Sequence, residues 1–253
     1  MRSEGPTNSH VSFYDDRWSR QATKPSQVDF DRVSLVVENA LGAMAHLTAP
    51  SVLDVGCGNG WILAMLQKRA PAGTALFGVE PSNVGVLHAM KMVPTANVFH
   101  GTLEQYDPER RFDIITCSEV IEHMACSNDA AHHLARLAAP GGTLILTTPN
   151  ARYLDDYFRV SGEHVTRQPI ENWLSRREIR EIFARAFDLL VLTTFDSTFY
   201  FRTHPGLHRI RRVVHSFRGG WRVWNGCLDP ILLHAGYGLY QLAVMRRRDH
   251  CEL

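Results

Sequence analysis

The chain has 253 residues, a formal net charge of +1 and 45% hydrophobic content. It is long enough to bury one substantial core, so a single domain with appended segments is expected rather than two domains. The balanced charge excludes a global attraction to nucleic acid. Five cysteines without a C-x-x-C pair argue against a disulfide framework or a zinc ribbon, which makes a reducing, cytoplasmic setting the expectation.

Met1 to His10 is polar and lacks the basic-then-apolar pattern of an export signal, and no uncharged apolar stretch reaches the ~20 residues of a membrane-spanning helix. A soluble protein is expected, at most peripheral to the inner membrane surface. Phe13-Tyr14-Asp15-Asp16-Arg17-Trp18 places Tyr14 and Trp18 four apart, on one helical face. That face can cap a substrate or pack against a sheet, and packing is the preferred reading. Val28 to Leu47 has helical spacing, so residues 1–47 are read as an N-terminal helical cap and 48–253 as the main domain.

Val52-Leu53-Asp54-Val55-Gly56-Cys57-Gly58-Asn59-Gly60 joins a strand covered on both faces to a turn whose glycines let the main chain curve around a ligand. A dinucleotide fold wants G-x-G-x-x-G. Here the third glycine comes one residue early, and Asp54 precedes the first by two. This spacing fits a ligand with an amino acid and a ribose better than a pyrophosphate, although a plain strand-to-helix turn uses the same glycines. Trp61 to Ala70 reads as the following helix.

Ala75 to Val79 is a second strand closed by Glu80, a carboxylate placed to accept hydrogen bonds from ribose hydroxyls; a surface acid at a strand end is the plain alternative. Asn97 to His100 is a third strand, followed by Gly101-Thr102-Leu103-Glu104. A fourth, Phe112 to Cys117, runs into Ser118-Glu119-Val120-Ile121-Glu122-His123. The fifth, Thr143 to Thr148, follows Pro140-Gly141-Gly142 and ends in Pro149-Asn150.

In order, VLDVGCGNG, Glu80, FDIITCSEVIEHM and PGGTLILTTPN resemble the class I S-adenosylmethionine-dependent methyltransferases, over roughly residues 50 to 195. The E-V-I-E-H and G-T-L-E-Q segments look most like the ubiquinone-biosynthesis O-methyltransferase group. The resemblance implies an α/β fold, a seven-stranded Rossmann-like sheet of order 3-2-1-4-5-7-6 with strand 7 antiparallel and helices on both faces. It also implies S-adenosylmethionine as cofactor, with Gly56 and Gly58 along its methionine portion, Glu80 on the ribose and Thr102 and Leu103 at the adenine. Ser118 and Glu119 would lie near the methionine end, and Asp54 belongs to the same set. An arginine upstream of the first strand touches the cofactor in the ubiquinone group, and Arg32 stands near that distance with different local spacing. The aromatic segment around Tyr14 and Trp18 resembles those that fold over the active site in many methyltransferases.

Ser175-Arg176-Arg177-Glu178 reads as a capping box opening a helix. Leu189 to Phe195 is then a sixth strand and Gly238 to Met245 a seventh. Between them, at about 197–236, Arg202, Arg209, Arg211, Arg212, Arg218 and Arg222 appear with no acid before Asp229, interleaved with Phe199, Tyr200, Phe201, Ile210, Val213, Val214, Phe217, Trp221 and Trp224. Such an insert can lie on an anionic membrane or grip a phosphate; a substrate lid or dimer face with solvated arginines is the plainer reading.

Methyl transfer needs alignment, and a base when the acceptor is a hydroxyl. His123 is the candidate catalytic base. On a helical turn Glu119, Glu122 and His123 would share a face and could hold Mg2+, with His164 as a further ligand. Small-RNA 2′-O-methyltransferases resemble that cluster, but their distal run of histidines and acids is missing here. Structurally, Glu122 can cap or salt-bridge and His123 can bond the loop after Asn150. His132-His133 reads as surface or packing, Cys57 and Cys117 as small apolar residues, and Arg246-Arg247-Arg248 as a solvated cluster. The resulting expectation is O-methylation of a small-molecule or lipid-linked hydroxyl acceptor. N-methylation, RNA 2′-O-methylation and a catalytically silent cofactor-binding partner are the alternatives, and oligomeric state is left open.

Overall fold

Strand β1 (Ser51–Val55) sits at the centre of the sheet, and both of its faces are covered. The computed structural model describes residues 8–20, 27–155, 170–196, 205–217 and 219–249. Around β1 lie β2 (Ala75–Glu80), β3 (Asn97–His100), β4 (Phe112–Ser118), β5 (Ala138–Pro149), β6 (Phe187–Phe195) and β7 (Tyr240–Arg247). The order is β3-β2-β1-β4-β5-β7-β6. The first five strands pair in parallel, and β7 runs antiparallel to both β5 and β6. This is the sheet expected from the sequence.

Successive strand residues point to opposite faces, which explains why these strands read as continuous apolar runs. Leu53, Val55, Ile115, Cys117, Leu144 and Leu146 face α5 (Ser127–Leu137) and α6 (Arg176–Phe183). Val52, Ile114, Ile145 and Val244 face α2 (Gln27–Met44) and α3 (Trp61–Arg69), where Val36, Val37, Ala40, Leu63 and Leu66 are buried. Helix α4 (Asn83–Met92) follows β2, and α1 (Asn8–Arg20) lies beside it.

Two strand starts and the burial of one arginine differ from the sequence reading for identifiable reasons. β5 starts at Ala138 because Ala138 pairs with Phe112 ahead of a bulge, and the strand runs on through Gly141 and Gly142. A side chain on Gly142 would come within 3.0 Å of the Phe112 carbonyl. β7 begins at Tyr240 because Gly238 presses against the backbone of Phe195. Arg247 lies inside rather than in a solvated cluster, since it continues the buried face of Ala243 and Met245, while Arg248 is exposed and pairs with Asp188. The capping box forms as expected: Ser175 accepts from Glu178 N–H and Glu178 accepts from Ser175 N–H.

The described part of the insert is helical: α7 (Pro205–Ser216), α8 (Gly220–Val223), a π turn (Trp224–Leu228) and α9 (Asp229–His234). Trp224 is buried beside Tyr153, Val214, Leu228, Leu232 and Tyr237 in a small core of its own. Asn150, just past β5, donates to the carbonyls of Gly236 (3.0 Å) and Gly238 (2.8 Å). These bonds fasten the segment to the C-terminal edge of the sheet. Among the described residues no helix is long and apolar enough to cross a membrane. His164, Arg202 and the aromatics at 199–201 lie outside the described residues, as does Arg218.

Candidate active site

The chain leaves β1 through three left-handed glycines, Gly56 (φ 67°), Gly58 (φ 52°) and Gly60 (φ 85°). Only glycine adopts such angles without cost. Space makes the same demand: a side chain on Gly56 would meet Val120 at 2.3 Å, and one on Gly58 would meet the Trp18 ring at 2.6 Å. The loop is held from β2, whose Val79 carbonyl accepts from Gly56 N–H and Cys57 N–H.

Glu80 ends β2 and is buried, 3% exposed. Its carboxylate accepts from Gly58 N–H (2.9 Å) and Ser82 N–H (3.0 Å). Burial raises its pKa, and these two bonds oppose the rise. With one bond on each oxygen, acceptor capacity remains for a diol. Asp54, beside it on β1, accepts from the Thr116 hydroxyl (2.7 Å) through Oδ1, while Oδ2 is buried with no hydrogen-bond partner. Burial, reinforced by the Glu80 charge, pushes the Asp54 pKa up to about 7.

That shift fixes a sign. A carboxyl whose pKa is higher folded than unfolded binds more protons when folded, so raising the pH between the two values destabilises the fold. Without a cationic ligand, stability is expected to fall as pH rises from about 4 to about 7 through this group. Urea unfolding across that range should show Asp54→Asn to have a flatter dependence; an unchanged slope would assign the effect to the other buried acids.

Helix α1 closes over this floor. Asp15 accepts from the Ser82 hydroxyl (2.5 Å) and from Val84 N–H (3.4 Å), which fixes α1 to the start of α4. Trp18 lies on Gly58. Its enclosed indole N–H makes no well-formed hydrogen bond, yet it lies close enough to Glu80 to favour the charged carboxylate. Tyr14 and Trp18 therefore sit at the site, although packing was the preferred reading of this face. Thr102 N–H is taken by Gln105 Oε1, and the Leu103 side chain joins the main core with Tyr106.

At the end of β4, Ser118 and Thr147 share a hydrogen bond between hydroxyls (2.8 Å). Glu119 takes a left-handed conformation (φ 57°), with its N–H on the Thr147 carbonyl. Arg32 of α2, hydrogen-bonded to Asp29 (2.8 Å), brings Nη1 to 4.0 Å from Glu119 Oε2, while Glu119 Oε1 is buried without a hydrogen-bond partner. Burial raises the Glu119 pKa and the Arg32 charge opposes the rise. Glu122 is fully enclosed, accepts from the Thr148 hydroxyl (2.9 Å), and is pushed well up by burial and by Glu119.

His123 Nδ1 lies 2.8 Å from the carbonyl of Ile170. A carbonyl only accepts, so Nδ1 carries the hydrogen and Nε2 keeps its lone pair. Nε2 is 3.7 Å from Glu122 Oε1, and the Tyr14 ring centre is 6.2 Å away. Burial lowers the His123 pKa, which favours the neutral ring.

The expected metal cluster does not form. Glu119 precedes the helix in a left-handed kink, and only Ile121–His123 make a single 3-10 turn, so Glu119, Glu122 and His123 do not share a helical face. Among the described residues no three His, Cys, Asp or Glu side chains are grouped to hold an ion, so Mg2+ has no support in this geometry; His164 lies outside them. Cys57 and Cys117 are buried, with their thiol pKa values pushed up by burial, as small apolar residues should be.

The residues present fit S-adenosylmethionine. The glycine cradle excludes side chains, Glu80 offers acceptors, and two buried carboxylate oxygens, on Asp54 and Glu119, await donors. A mostly parallel sheet with polar groups gathered at the carboxyl ends of its strands is the arrangement in which open α/β proteins bind nucleotides and related ligands. The chain matches the methyltransferase domain family over residues 7–193 and belongs to it. It carries a class I, S-adenosylmethionine-dependent methyltransferase domain.

Ubiquinone biosynthesis O-methyltransferase of Klebsiella pneumoniae (strain 342) is 31% identical over 122 residues, 47% of this chain and 49% of that protein. Its counterpart from Aliivibrio fischeri (strain MJ11) is 31% identical over 139 residues, 54% and 58%. The chain thus spans about half the length of the curated relatives it matches. In fold it is similar to magnesium protoporphyrin IX methyltransferase from Synechocystis PCC 6803 with bound S-adenosylhomocysteine (TM-score 0.62, 18% identity, 94% and 97% coverage). The N-methyltransferase NodS of Bradyrhizobium japonicum WM9 is similar too (TM-score 0.61, 12% identity, 96% and 100% coverage).

Asp15, Thr116 and Thr148 went unforeseen, and the Ile170 carbonyl gives a particular partner to the bond that the sequence allowed between His123 and the stretch after Asn150. Each acts through a partner between 26 and 67 residues away, and no local pattern encodes such pairs.

Proposed function

We propose that this domain transfers a methyl group from S-adenosylmethionine to a hydroxyl of a small-molecule or lipid-linked acceptor. The tautomer of His123 carries the reading: with Nδ1–H given to Ile170, Nε2 is a lone pair in a mostly enclosed site beside the strand end. An O-acceptor needs such a base, whereas a neutral amine needs little help. The O-methyltransferases among the relatives support the same choice.

The cofactor supplies a methyl group on a sulfonium, already activated toward a nucleophile. In this reading Gly56 and Gly58 approach its methionine portion, Glu80 takes the ribose hydroxyls, and Thr102 and Leu103 border the adenine. Asp54 and Glu119 accept from its ammonium, and Arg32, next to Glu119, meets its carboxylate. Ser118, bonded to Thr147, steadies that corner. With the cofactor bound, Nε2 of His123 would take the proton of an acceptor hydroxyl held in line with the donated methyl group.

Incubation with methyl-labelled cofactor and pools of phenols, alcohols and amines tests this directly. Label is expected in alkali-stable ethers of hydroxyl acceptors, and transfer should survive a chelator, because Glu122 and His123 are already engaged by Thr148 and Ile170. Transfer to amines alone would refute the O-methylation reading.

A further inference from the structure

Helices α7 and α8 carry an apolar surface that the fold does not use. Thirteen large apolar side chains are exposed among the described residues, and Ile210, Val213, Phe217, Trp221, Val223 and Ile231 make up six of them, all in this one segment. They are not unfinished core. The segment has its own buried centre at Trp224, against which Val214 of α7 packs. Ile210, Val213 and Phe217 follow the spacing of one helical stripe.

The charge pattern names the occupant. Arg209 and Arg212 are exposed along the flank of that stripe, and Arg222 stacks over Trp221 at 5.2 Å. From Pro205 to Leu228 the sequence contains five arginines and no acid. Apolar and aromatic side chains flanked by cations suit the boundary of a bilayer, where the rings enter the headgroup layer and the cations meet phosphates. A copy of this chain offers no such excess of negative charge, since the chain as a whole is close to neutral.

We propose that α7 and α8 dock this protein on an anionic lipid surface. Through Asn150 the segment is fastened to the end of β5, on the same sheet edge as the glycine loop and His123. The proposal deepens the lipid-linked branch of the functional reading while resting on surface observations of its own.

The test uses the full chain and sedimentation with vesicles of phosphatidylcholine alone or mixed with phosphatidylglycerol. Binding is expected to the mixed vesicles and to weaken with salt. Arg209→Ala with Arg212→Ala should lower the partition coefficient about 25-fold, roughly fivefold per arginine. Phe217→Ala with Trp221→Ala should reduce it even at low salt. Both double variants should keep the parent circular dichroism and cofactor affinity, which separates lost docking from lost folding. Absence of binding, equal binding to both vesicle types, or a dimer broken by Phe217→Ala and Trp221→Ala in protein that ignores vesicles would each overturn the proposal. Transfer to a water-soluble acceptor, measured in parallel, reports on the chemistry independently of docking.

Discussion

Replacing His123 by alanine is expected to lower turnover on a hydroxyl acceptor by about 10²–10⁴-fold with unchanged affinity for S-adenosylmethionine. The size follows from what the imidazole does. The neighbouring carboxyl of Glu122 is poorly placed to substitute: it is buried, its pKa is raised by that burial and by the Glu119 charge, and one of its oxygens already accepts from Thr148. Burial also lowers the His123 pKa, so the parent enzyme's acid limb should fall below pH 6.5, the ordinary value for the ring. Alanine should abolish that limb. Single-turnover rates against pH for both proteins check the assignment, and full activity in the variant would remove His123 from the chemistry.

Glu80→Ala should weaken cofactor binding by about 1.5–3 kcal/mol, roughly 10- to 150-fold. Two effects converge at that carboxylate. It is the acceptor proposed for the ribose, and it also holds Gly58 N–H and Ser82 N–H at the turn the cofactor must approach. Glu80→Gln distinguishes them, since an amide keeps an acceptor oxygen but gives up the charge. Calorimetry with S-adenosylhomocysteine should rank parent above Gln above Ala. Equal affinity in all three would place the ribose elsewhere.

The sheet was legible because parallel strands buried on both faces must be written as apolar runs, and β1, β2, β4 and the second half of β5 are. The glycine loop was legible for an equally local reason: left-handed backbone at Gly56, Gly58 and Gly60 demands glycine, and it stands directly after a strand. What the sequence concealed is geometry fixed by distant partners. The E-x-x-E-H spacing suggested three ligands on one helical face, but the backbone reverses hand at Glu119, a residue that carries no outward sign of such a kink. The role of α1 was obscured in a similar way, because Tyr14 and Trp18 look alike whether they meet a sheet or a binding site. Only the contact of Trp18 with Gly58, 40 positions away, decides between them.

The clasp between Asp15 and Ser82 has a consequence for the turn beneath α1. With Trp18 resting on Gly58, the helix packs directly on the glycine turn that a cofactor is proposed to approach. The hydrogen bonds at Asp15 hold it by about 1.5–3 kcal/mol. Any motion of α1 therefore changes what covers the turn, and the clasp at Asp15 sets how firmly the two stay together.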